Sequence, residues 1–61
     1  MSLGFKFSEY MENIAEHLCD AYGYSGRSAM EAVNEFADFL TVCYKDGWSV
    51  DYCARMIDSE A

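Results

Sequence analysis

The chain predicts an all-α fold, a small antiparallel three-helix bundle preceded by an N-terminal arm. Three observations carry that prediction. Apolar residues recur every three to four positions through the segments 8–22, 28–46 and 49–58. Each segment opens on a serine, and the first two are followed by a glycine, the punctuation expected of helix ends. Proline is absent, and no stretch alternates long enough to pair as a sheet.

The first helix is expected to start at Ser8, an N-cap, with Glu9 in the first turn where the helix dipole favours acid. Tyr10, Met11, Ile14, Ala15, Leu18, Ala21 and Tyr22 form its apolar stripe, and Gly23 ends it. In the second, Ser28 followed by Glu31 reads as a capping box. Ala29, Met30, Ala32, Val33, Phe36, Ala37, Phe39, Leu40, Cys43 and Tyr44 then occupy about half the circumference. A face that wide exceeds what one neighbour can cover, so 28–46 is predicted to be the central helix, packed on both sides. Asp46-Gly47 terminates it, and Ser49 caps a third helix with Val50, Cys53, Ala54 and Ile57 on its core side. Residues 59–61 are expected to fray. Ahead of the bundle, Leu3, Phe5 and Phe7 alternate with Gly4 and Lys6. A lone strand has nothing to pair with, so residues 1–7 are predicted as an arm of coil, with Met1-Ser2-Leu3 compatible with an expression remnant.

The two turns share a grammar, Gly23-Tyr24-Ser25 and Gly47-Trp48-Ser49. Glycine can take the left-handed conformation, the aromatic can fold back on the helix it leaves, and serine can open the next cap. The flanking helices do not align as a repeat, so convergent turn chemistry is the simpler origin. These glycine–aromatic turns resemble those of ubiquitin-associated three-helix domains. A helix over 28–46 is much too long for that pattern, and the chain is not assigned to that family.

Sixty-one residues make one domain, here 8–58, near the lower limit for a self-sufficient core. The three cysteines, Cys19, Cys43 and Cys53, are an odd number, which suits reduced thiols in a cytoplasm better than a disulfide framework. Without staples, a core this small predicts a homodimer. The net charge of −7, with four basic residues scattered singly, argues against direct binding of nucleic acid or an anionic membrane. No apolar run is long enough to span a bilayer, and no leader pattern precedes a cleavage site.

Catalytic and metal motifs are missing. His17 has no local partner arrangement and reads as a boundary histidine. Cys19, Cys43, Cys53 and His17 lack the paired spacing of a zinc site, and Cys43 and Cys53 sit on core-facing positions as small hydrophobes. Glu12 and Glu16 stand one turn apart, yet no Glu-x-x-His accompanies them, so a di-iron arrangement is not expected. Gly23-Tyr24-Ser25-Gly26 is no phosphate cradle. No enzyme, cofactor or metal is expected.

Two features remain. Glu9, Glu12, Glu16 and Asp20 form one acidic ridge, and Glu31, Glu35 and Asp38 another, with no interleaved lysines. Like charges at this spacing repel by roughly 0.2–0.5 kcal/mol per pair, so the ridges either are solvated faces or await a basic partner. Val42, Trp48, Tyr52 and Met56 miss the predicted core and could form a contact patch, aromatics and methionine being enriched in interface cores. The expected function is a non-enzymatic, acidic protein-interaction module that self-associates and uses this patch. The alternative is an acidic inhibitor that mimics nucleic acid in the groove of a DNA- or RNA-binding protein, which requires both ridges on one side of the bundle.

Overall fold

Four helices, not three, make up the chain in a computed structural model that describes residues 3–60. They are α1 (Leu3–Tyr22), α2 (Gly26–Glu35), α3 (Ala37–Asp46) and α4 (Val50–Glu60). The all-α class holds, and no strand occurs among the described residues. Met1, Ser2 and Ala61 lie outside them.

The expected arm is instead the first turns of α1, which runs straight through Ser8. The local capping preference of serine loses to packing. Phe7 lies 6.5 Å from the ring of Tyr10 and 5.6 Å from that of Tyr44, and Tyr10 and Tyr44 are 5.1 Å apart. Phe7, Tyr10 and Ile14 continue one helical stripe, so extending the helix brings Phe7 into this cluster at no cost in registry.

The segment predicted as a single helix over 28–46 breaks at Phe36, whose φ of −98° and ψ of 22° leave the helical region. Backbone bonding survives the break. The Phe36 N–H donates to Ala32 at 3.0 Å, and its carbonyl accepts from Leu40 at 2.9 Å. Neither proline nor glycine causes the bend, so its origin is tertiary. α2 lies close along α1, whereas α3 leans away and stays attached chiefly at its far end. There Tyr44 meets Phe7 and Tyr10. Thr41 Oγ1 also donates to the Ala37 carbonyl at 2.9 Å, a back-bond that favours bending in the first turns of α3. The expected start also moves. Ser25 rather than Ser28 caps α2, its Oγ accepting from the Ser28 N–H at 3.1 Å.

Other boundaries fall where chemistry places them. Gly23 and Gly47 have φ of +74° and +80°, the left-handed conformation that stops α1 and α3. The Gly47 and Trp48 N–H groups return to the carbonyls of Tyr44 and Cys43 at 3.2 and 3.0 Å, a Schellman closure. Ser49 caps α4 through the Tyr52 N–H at 3.1 Å. α4 continues helical to Glu60.

The course is up, down and up, with the descending limb made of α2 and α3. α1 pairs antiparallel with α2–α3, and α4 returns parallel to α1, since Tyr10 meets Cys53 and Tyr24 meets Asp58. The central helix is therefore α1, packed on both sides, and not the 28–46 segment. At about 1.5 Å per residue its twenty residues span roughly 30 Å, close to the 33 Å long dimension of the molecule. Ile14, Leu18, Val33, Leu40, Cys53, Ala54 and Ile57 are fully buried between the helices. Among the described residues no charged group is buried and no buried side-chain polar atom lacks a partner.

Candidate functional site

The wide apolar face of the 28–46 segment is real, but the monomer covers only its centre. Ala29, Val33, Leu40 and Cys43 are buried, while Met30 and Phe39 at its edges remain 47% and 37% exposed. The bend at Phe36 carries α3 away from α4, and the two helices barely approach. An open apolar cleft of about 260 Å³ results, lined by Phe36 and Phe39 from the break and start of α3, and by Met56, Ile57 and Glu60 from α4. Glu60 is the only charged lining residue.

The predicted patch and this cleft share one residue. Met56 lines it directly. Tyr52 lies one turn back on the same ridge of α4, and Trp48 one turn further still. The Trp48 and Tyr52 rings stack with centroids 4.6 Å apart and planes 22° apart. Val42, 57% exposed, lies one turn beyond Phe39 on the outer side of α3. Of the four expected residues Met56 alone lines the cleft, and the structure adds Phe36 and Phe39. Sequence reading had assigned those two to the core. The signal was present in the width of the apolar face, which exceeded what the remaining helices could bury.

Tyr10 fixes the near end of this surface from below. Its hydroxyl donates to the Trp48 carbonyl at 2.8 Å and lies 3.0 Å from Cys53 Sγ. The turn is thereby tied to α1 while the Trp48 ring, 48% exposed, stays outside. Burial raises the Tyr10 phenol above its ordinary pKa, and the Cys53 contact adds to the shift. Burial, followed by hydrogen bonding to Cys53, pushes the Cys43 thiol up to about 11. Tyr24 donates to Asp58 Oδ1 at 3.1 Å and is likewise raised, by desolvation first and then by that bond. Such thiols and phenols are neutral packing groups near pH 7 and poor nucleophiles.

Thiol labelling checks this arrangement. Cys19 is half-buried, and Cys43 and Cys53 are buried. One thiol per chain is expected to react rapidly with a disulfide reagent at pH 8. Cys43 and Cys53 should follow only at the rate of unfolding, and three equal rates would contradict the packing.

The acidic residues Glu9, Glu12, Glu16, Asp20, Glu31, Glu35 and Asp38 are all exposed. The α1 ridge points away from the core and so away from the cleft. Glu12 and Glu16 edge a second, shallower hollow between α1 and α2, with Cys19 and Met30. The other ridge is divided by the break at Phe36, Glu31 and Glu35 belonging to α2 and Asp38 to α3. His17 is the partly exposed boundary histidine expected, and it meets a distant partner across on α4, with Nε2 2.9 Å from Asp51 Oδ1. Among the described residues no three His, Cys, Asp or Glu groups stand close enough to hold a metal ion, and no helix is long and apolar enough to cross a membrane.

Comparison of the chain with family models, curated proteins and solved structures finds no match. The break at Phe36 removes the length objection to a ubiquitin-associated domain, but that family gains no support from the comparisons.

Proposed function

We propose that this chain is a non-enzymatic protein-interaction module that binds a protein partner through the α3–α4 cleft and the adjoining Trp48–Tyr52 stack. The observation that carries this reading is the incomplete cover of the descending limb's apolar face. Phe36, Phe39 and Met56 surround an open cleft, whereas every polar group in the buried core is satisfied among the described residues. A core that closes this well does not need the cleft for its own stability, and the uncovered residue types are those enriched in interface centres. Three free cysteines fit a reducing compartment such as the cytoplasm. Net charge of −7 favours encounter with a basic partner over a second copy of the chain.

Salt separates this reading from nucleic-acid mimicry. Partner retention by the immobilised chain is expected to persist in high salt and to fall at least about tenfold in the double variant Trp48→Ala, Phe39→Ala, as for loss of two central anchors. If retention instead collapses with salt and with Glu12→Lys plus Glu35→Lys, and ignores Trp48, the interaction belongs to the acidic ridges. The divided second ridge makes that outcome the less expected one.

A further inference from the structure

Resting on the interaction reading above, we propose that the occupant of the cleft is an amphipathic helix with basic flanks, supplied by another protein. Shape argues for a helix. Among the described residues the chain offers no sheet edge on which a strand could be added, and its uncovered apolar surface lies between two helices, the geometry in which a third helix buries an apolar stripe. On α4 the surface runs from Tyr52 through Met56 to Glu60, a ridge of residues four apart, with Trp48 stacked on Tyr52 ahead of the helix. At about 1.5 Å per residue the ridge is roughly 12 Å, a little over two turns, which a helix with anchors at i, i+3 or i+4, and i+7 matches. The widest anchor enters between Phe36, Phe39, Met56 and Ile57.

Charge argues for basic flanks. The single charged group lining the cleft is Glu60. No basic residue lines the cleft. The nearest cation on α4, Arg55, is one residue from Met56 and turned toward the solvent side of that helix. A second copy would bring another −7 to the same place. A helix carrying lysines or arginines beside its apolar stripe meets the rim with opposite charge and the floor with apolar side chains.

Trp48 is the only tryptophan in the chain and its ring stacks on Tyr52, so it reports occupancy of the surface without a label. The probe is a synthetic helical peptide of about fifteen residues with leucines at one face and lysines elsewhere. A saturable 1:1 change in Trp48 fluorescence is expected, with backbone amide shifts confined to α3, α4 and the turn between them. A peptide of identical composition with its leucines scrambled off one face should bind at least about tenfold more weakly, as should Phe39→Ala with the original peptide. Glu60→Lys, at an exposed position in the last turn of α4, should weaken binding several-fold and more so at low salt. Equal binding of the scrambled peptide, amide shifts centred on Glu12 and Glu16, or no binding at millimolar peptide would each overturn the proposal. A dimer seen by sedimentation, dispersed by Phe39→Ala, would replace the foreign helix with a second copy while leaving the interaction module standing.

Discussion

Leu18→Ala is expected to leave the chain largely unfolded, or within about 1–2 kcal/mol of it, in the absence of denaturant. Leu18 is completely buried on α1, the helix that both α2 and α4 pack against. Truncating a buried leucine costs about 2–5 kcal/mol, the upper part of that range applying where the surroundings cannot collapse into the cavity. A domain of this length has roughly 3–9 kcal/mol in total. Ile57→Ala should behave similarly, since Ile57 is fully buried where α4 meets the core and the floor of the cleft. Val42→Ala, on the exposed side of α3, should change stability by less than about 0.5 kcal/mol. Urea unfolding followed by circular dichroism compares the three. A Leu18→Ala cost below about 1 kcal/mol would mean that α1 is not the centre of the fold.

Alkali is expected to unfold the protein at concentrations of hydroxide that spare an ordinary small helical domain. Cys43 has an ordinary value of 9 and is held at about 11 in the folded state. Between those two values the unfolded chain has lost a proton that the folded chain retains. Folding stability is therefore fully present below about pH 9 and falls as the pH rises toward 11, by up to about 1.4 kcal/mol per unit for one group. Tyr10, ordinarily near 10, is shifted in the same direction and adds its own slope above that pH. Thermal melting from pH 7 to 11 should show a steep decline beginning near pH 9, and Cys43→Ser with Tyr10→Phe should flatten it. A melting temperature constant to pH 11 would show that neither group is buried in its neutral form.

Much of the architecture was legible because it follows from single residues. Gly23 and Gly47 announce left-handed stops, Ser49 announces a cap, and helical spacing of apolar residues announces an all-α chain. Two of the misread boundaries share a common reason. Ser8 carries a strong local signal for a helix start, yet Phe7 gains more by joining Tyr10 and Tyr44. Phe36 carries no local signal for a break, and its bend arises from how α2 and α3 lie against α1. Local propensity cannot report a contact that exists only after the chain has folded. The surface proposed for a partner was partly legible for the converse reason. Val42, Trp48, Tyr52 and Met56 stand outside a helical stripe, which periodicity detects, whereas Phe36 and Phe39 lie within one and become a surface only through the bend.

The parallel pairing of α1 with α4 also fixes when the molecule can be finished during synthesis. Tyr10 meets Cys53, and Tyr24 meets Asp58, contacts separated by 43 and 34 positions. α1 and α2, neighbours in the chain, can associate as they leave the ribosome, and Tyr44 near the end of α3 then joins Phe7 and Tyr10. The apolar side of α1 that α4 will cover has no occupant until α4 emerges, so the nascent chain carries an open seam up to that point. Closing that seam is the step with the longest loop to order. Emergence of α4, rather than formation of any earlier helix, completes the core.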